Sequence, residues 1–281
     1  MGTGPAKHGR VRFMLAAAAS GWTTVNPPTS DRTESAEADP GPIEGGDPRR
    51  RPIRVAHRGG NGRRALRRAV ELGLDWIEAD IWLHYGRLVA RHDRTLWRLP
   101  LSYSRNSLQL HLAPSIVLDT LLRATAGTAT RVLIDLKGGH PDLPEAIVRL
   151  LERRDALARA ALCGQEWGPL DAARRLNPNV RVFFSLGRPA HLDAYLTRLR
   201  EGSAPPLASC YHGLITPESA ATLKAAGATV IAWTVDSEAR ARQLLSWGVD
   251  GITSNDYAML ARLSLSSSGP SLAAAREGGS Q

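Results

Sequence analysis

Glu78 and Asp80 stand two residues apart in an otherwise apolar run, Trp76–Ile81. Strand residues two apart point to the same face, so the two acids project together while Ile77, Ala79 and Ile81 pack the other side. Two adjacent carboxylates repel, and the arrangement calls for a compensating cation. A turn at His84–Tyr85–Gly86 follows, then a second short strand over Arg87–Arg91 that ends in His92–Asp93. The hairpin thus carries two acids out and brings a histidine back. Hard oxygen ligands beside an imidazole are what metal-assisted hydrolysis requires.

The surrounding elements fall into a repeating order. A short strand at Arg54–Ala56 runs into His57–Arg58–Gly59–Gly60, and Arg63–Leu72 has the apolar spacing of a helix stopped by Gly73. Residues 94–114 read as an irregular loop insertion over the site, and Ser115–Ala124 as a helix. Arg131–Lys137 is a buried strand ending in an acid and a base, Asp135 and Lys137. Helices are expected at 143–154, 169–176, 190–200, 217–226, 237–247 and 257–263, with strands at 160–163, 180–186, 209–215, 229–235 and 251–254 between them. Strands alternate with helices about eight times over roughly 210 residues, the rhythm of a single-domain (β/α)8 TIM barrel. The rival doubly wound sheet lacks a glycine-rich phosphate loop after a strand. In the barrel, His57, Glu78, Asp80, Asp135, Lys137 and Trp233 all fall at or near strand C-terminal ends, where barrel active sites form. Bland alternatives stay open: Asp135 and Lys137 as a structural ion pair, and Trp233 as core packing.

The chain of 281 residues is long enough for one large barrel, and its 43% apolar content can build the core. No run of about 18 apolar residues is present, which excludes a membrane-spanning helix. Two cysteines, Cys163 and Cys210, form neither a disulfide framework nor a metal motif. Residues 1–52, rich in Pro, Gly and mixed charge, read as a disordered leader, 53–264 as the catalytic domain and 265–281 as a mobile tail. The leader holds seven Lys/Arg against six Asp/Glu, so most of the net charge of +9 belongs to the rest of the chain. That surface favours anionic small molecules and leaves room for peripheral contact with anionic lipid. No nucleic-acid module or stacking platform is present. The apolar stretch Phe13–Ala19 only weakly imitates an export signal, so cytoplasmic placement is the expectation and secretion its alternative. Oligomeric state is not legible.

Five segments together carry a family resemblance: VAHRGG (55–60), the stretch 61–83 ending in WIEADIWL, GRLVARHDRTL (86–96), VLIDLKG (132–138), and VIAWTVD with GVDGITSN between 230 and 255. In this order they resemble the glycerophosphodiester phosphodiesterases. The resemblance implies cleavage of a glycerophosphodiester or lysolipid. It makes Glu78, Asp80 and Asp135 ligands of a divalent cation, Mg²⁺ or Ca²⁺, and His57 and His92 the general acid and base. Arg58 and Lys137 would hold the phosphate, and Trp233 would wall the glycerol. There are departures. The family usually has glutamate where Asp135 stands, although the related barrel phospholipases D of venoms use aspartate. The linker after His57–Arg58–Gly59 is shortened, with only Asn61 fitting the usual pattern, and the hairpin turn is one residue short. A phospholipase-D-like lyase that forms a cyclic phosphate and a non-catalytic phosphate-binding barrel are the alternatives.

Overall fold

The alternation of strands and helices closes on itself. The computed structural model describes residues 51–92, 101–104, 107–110 and 115–263. The expected leader, apart from Arg51 and Pro52, and the expected tail both lie outside the described residues. In chain order the strands are β1 (Ile53–Ala56), β2 (Trp76–His84), β3 (Arg87–Ala90), β4 (Leu101–Ser104), β5 (Ser107–Leu110), β6 (Ile116–Val117), β7 (Arg131–Leu136), β8 (Ala160–Gly164), β9 (Val182–Leu186), β10 (Leu207–Tyr211), β11 (Thr229–Trp233) and β12 (Gly251–Ser254). The helices are α1 (Arg63–Glu71), α2 (Leu118–Thr125), α3 (Leu143–Arg153), α4 (Trp167–Leu176), α5 (Pro189–Arg200), α6 (Pro217–Ala225), α7 (Glu238–Ser246) and α8 (Tyr257–Arg262).

β1, β2 and β7 to β12 form a parallel sheet in which β1 pairs with both β12 and β2, so the barrel is closed. Each of these eight strands is followed by a helix, giving the expected (β/α)8 barrel. The strands of such a barrel are covered on both faces, which is why they read as near-continuous apolar runs. One apolar set, including Ile77, Ala79, Ile81, Val132, Ile134 and Leu162, packs outward against the helices. Burial of each such Leu or Ile side chain stabilises by roughly 1.5–3 kcal/mol. A second set, Val55, Trp76, Leu133, Ala161, Cys163, Phe183 and Ile231, fills the barrel interior below the acids. The two cysteines are free and buried, as their lack of motif implied.

β2 has two parts. Its first residues pair with β1, and Ile81–His84 pair instead with β3 across a two-residue turn, Tyr85–Gly86. Both turn residues have positive φ, 47° and 71°, the geometry that matches the twist of a tight hairpin. The stretch 94–114, expected to be irregular, contains the antiparallel pair β4–β5, consistent with the period-two apolar residues Leu108 and Leu110. The helix expected from Ser115 begins at Leu118, because Ile116–Val117 instead form β6 against β3. The strand expected over 209–215 is Leu207–Tyr211, and His212–Leu214 form a 3₁₀ turn. Among the described residues no helix is long and apolar enough to cross a membrane.

Candidate active site

The acids sit where β2 and β7 run side by side. Their register sets Glu78 beside Leu133 and Asp80 beside Asp135. Glu78 and Asp80 are only 5% and 3% exposed. One carboxylate oxygen from each of Glu78, Asp80 and Asp135 lies within 4.8 Å of the others. The structure therefore brings the three expected cation ligands together.

Each acid has a polar partner. The turn after β1 places Arg58 in the left-handed region, φ 55°, and so points its backbone N–H at Glu78 Oε2, 2.6 Å away. Asn61 clamps Asp80: its Nδ2 donates to Oδ2 at 2.7 Å, and its Oδ1 accepts from the Asp80 N–H at 3.0 Å. The shortened linker thus still delivers its asparagine. Gly60 fits only because it lacks a side chain, since a Cβ there would meet Ala79 Cβ at 2.6 Å. Lys137 Nζ bridges Asp135 Oδ2 at 2.5 Å and Asp80 Oδ1 at 3.0 Å. The Arg58 guanidinium lies farther off, its Nε 4.0 Å from Asp80 Oδ2, with the side chain 42% exposed.

Charge is not balanced here. Three acids face two cations, and among the described residues Glu78 has no ion-pair partner. Burial, followed by the Asp80 and Asp135 charges, pushes the Glu78 carboxyl well above the usual range. Burial likewise raises Asp135, to about 6, although Lys137 opposes it. Burial works against the Lys137 charge, but Asp135 and Asp80 outweigh it and keep the ammonium protonated. Buried acids pressed together without enough positive charge are costly, and an all-oxygen set of this span fits a hard divalent cation.

His57 ends β1 beside this cluster, and burial lowers its pKa despite the hydrogen bond to Asn255. Its Nδ1 lies 2.8 Å from Asn255 Oδ1. Asn255 gives both its backbone N–H and its Nδ2 to Asp236, each at 2.8 Å. With its donors so engaged, Asn255 can only accept from His57. Nδ1 therefore carries the proton and Nε2 keeps its lone pair. Ser254 Oγ steadies Asp236 at 2.9 Å, and the Tyr257 hydroxyl donates to the His57 carbonyl at 2.8 Å. Asn255, Asp236 and Tyr257 were not singled out from the sequence. Asp236 and Asn255 both lie in segments that carry the resemblance, but a contact across 19 residues leaves no local pattern.

His92 follows β3, is exposed, and its charge acts on the Asp135 carboxyl. The residue before it is held by the hairpin: Arg91 N–H donates to the Asp80 carbonyl at 2.9 Å, and Trp82 Nε1 donates to the Arg91 carbonyl at 2.9 Å. The Trp82 ring occupies the space beside Gly138, where a Cβ would approach it to 2.5 Å. Trp233 ends β11, with its ring 5.5 Å from that of Tyr211 and its Nε1 buried without a hydrogen-bond partner.

Residues 141–259 match the model of the glycerophosphoryl diester phosphodiesterase family. The family that the sequence resembles is the family it matches. The matched span holds Trp233, Asp236 and Asn255, while His57, Glu78, Asp80, His92, Asp135 and Lys137 lie outside it and rest on geometry. No curated protein matches the chain. Among solved structures, a glycerophosphodiester phosphodiesterase from Parabacteroides distasonis is 20% identical, with a TM-score of 0.61 over 75% of this chain and 96% of its own. One from Agrobacterium tumefaciens is 19% identical, with a TM-score of 0.59 over 75% and 99%. An Oleispira antarctica phosphodiesterase, solved with its product sn-glycerol-3-phosphate, is 19% identical, with a TM-score of 0.60 over 74% and 94%. At these identities the structural likeness establishes the barrel fold.

Proposed function

We propose that the chain is a cation-dependent phosphoric diester hydrolase that cleaves glycerophosphodiesters to an alcohol and glycerol 3-phosphate, a step in glycerophospholipid breakdown. The observation that carries this reading is the convergence of Glu78, Asp80 and Asp135 within 4.8 Å beside His57. These acids would hold a divalent cation, and their separation suits either Mg²⁺ or Ca²⁺. A bound cation would polarise the phosphoryl oxygens and neutralise charge developing on them.

His57 takes the proton of the attacking hydroxyl on Nε2, the nitrogen that Asn255 leaves basic. His92, whose charge acts on Asp135, gives a proton to the leaving alkoxide. Arg58, with its half-exposed guanidinium, holds phosphate oxygens, and Lys137 does so while remaining anchored to Asp80 and Asp135. Trp233 forms the wall for the glycerol.

Aspartate at position 135 keeps a second reading in view, transfer to a neighbouring hydroxyl of a lysolipid to give a cyclic phosphate. Phosphorus NMR of products from the purified chain, in a screen of cations against glycerophosphodiesters and lysolipids, separates the two. The expected product is free glycerol 3-phosphate. A cyclic phosphate selects the second reading, and no product with any cation defeats both.

The Asn255 contact gives a sharper check on His57. Asn255→Ala should lower kcat about 10- to 100-fold, as loss of an orienting partner does, with KM nearly unchanged. Nitrogen NMR of the imidazole should show a mixture of tautomers in place of one. Unchanged kcat together with an unchanged tautomer signal would remove the positioning role.

A further inference from the structure

At the opposite end of the barrel from the acids, basic groups are treated in two ways. Around β1, β2, β11 and β12 they are paired. Arg51 and Arg54 bind Asp75, and Lys224 Nζ contacts both oxygens of Asp250 at 2.8 Å. Across β7, β8 and β9 they are not. Arg131 opens β7, Arg159 precedes β8 and Arg181 precedes β9. The pairing of Val132 with Ala160 sets Arg131 level with Arg159, and that of Leu162 with Val182 sets Arg181 level with Ala161, two residues further along. Arg131 and Arg181 are each two residues before an interior residue, Leu133 and Phe183, so both point toward the barrel axis, while Arg159 closes a 3₁₀ turn, Leu157–Arg159, at the start of β8.

Among the described residues no carboxylate pairs with any of the three. Arg131 instead lies over the Trp76 ring, 5.6 Å from its centroid. Arg159 Nη1 and Arg181 Nη1 are buried and have no hydrogen-bond partner. Burial, and then the Arg131 charge, disfavour the Arg181 cation, so like charges face one another. A barrel's N-terminal face ordinarily serves stability, and elsewhere on this face Arg54 and Lys224 are given Asp75 and Asp250. Here the described residues supply no acid. Buried guanidinium nitrogens need acceptors, and planar guanidinium forks match the oxygens of a tetrahedral anion.

We infer that Arg131, Arg159 and Arg181 form an anion-binding site for a phosphate group at the N-terminal mouth of the barrel, separate from the catalytic end. The site depends on none of the catalytic assignments above. The ligand is inorganic phosphate or the phosphate of a small phosphomonoester, and comparing binding of the two identifies the source.

The test is calorimetric titration of the full chain with inorganic phosphate, without divalent cation and at constant ionic strength set by chloride. Arg159→Gln/Arg181→Gln is compared with the parent. The double variant should bind phosphate at least about tenfold more weakly, as loss of charge-assisted hydrogen bonds implies, and should keep kcat and KM for the diester. Equal phosphate binding by parent and variant overturns the assignment. So does an acidic peptide that displaces phosphate at lower concentration, which would mark a protein-binding face. If the double variant does not fold, Arg131→Gln at the exposed position serves instead. It must weaken phosphate binding, and unchanged binding overturns the site equally.

Discussion

Alanine in place of His57 is expected to lower kcat on a glycerophosphodiester by about 10²–10⁴-fold, the range that general acid–base catalysis supplies. The same substitution at His92 should cost a comparable factor, and the double variant should lose little more, because groups acting as a unit are not additive. His57 must be neutral to accept a proton. Burial holds its pKa below the usual imidazole value despite the Asn255 hydrogen bond. Activity should therefore fall as pH drops through a point below about 6.5, leaving the enzyme fully competent at neutrality. Initial rates from pH 5 to 8, with cation saturating, check both the factor and the position of the acidic limb. Either single variant retaining kcat within twofold would exclude that histidine from proton transfer. An acidic limb above the usual imidazole value would contradict the burial that the structure assigns to His57.

The features that could be read in the chain were those written in a local period. Glu78 and Asp80 interrupt an apolar strand at a spacing of two, and the strand register with β7 then sets Asp80 beside Asp135. The barrel followed from strands and helices recurring at even intervals. What could not be read was made by contacts distant in sequence or by backbone geometry. Arg58 was expected to act through its guanidinium, yet its N–H also holds Glu78, because the turn after β1 adopts a left-handed conformation there. From sequence Lys137 reads as a phosphate ligand or as half of an ion pair with Asp135; it also reaches Asp80, an arrangement that depends on two strands meeting. The orienting chain from Asp236 through Asn255 to His57 joins β12 to β1 across 198 residues. Arg131, Arg159 and Arg181 are individually ordinary surface-type residues, and only the pairing of β7, β8 and β9 brings them to one end of the barrel.

Removal of divalent cation should abolish turnover and also expose what the acids cost the fold. In the cation-free chain, burial raises the Asp135 pKa to about 6 against the opposition of Lys137, and it moves Glu78 in the same direction. A carboxyl whose folded pKa exceeds its unfolded value of about 3.9 binds more protons in the native state. Stability of the cation-free protein should therefore fall as pH rises from about 4 to about 6 and remain lower above that. A cation that binds only the folded, ionised acids reverses the trend and raises Tm at neutral pH. Glu78→Gln separates the two effects. It removes a buried charge without an ion-pair partner, keeps an acceptor for the Arg58 N–H, and should raise cation-free Tm by about 2–4 °C for each 1 kcal/mol regained. The same substitution should lower the Tm response to Mg²⁺ or Ca²⁺ and reduce turnover to background. Thermal melts at pH 4.5, 6 and 7.5, with and without cation, test each limb of this argument. Full turnover in excess chelator, or a Glu78→Gln chain that melts lower without cation and responds to it as the parent does, would show that the carboxylate cluster is held together for a reason other than cation binding.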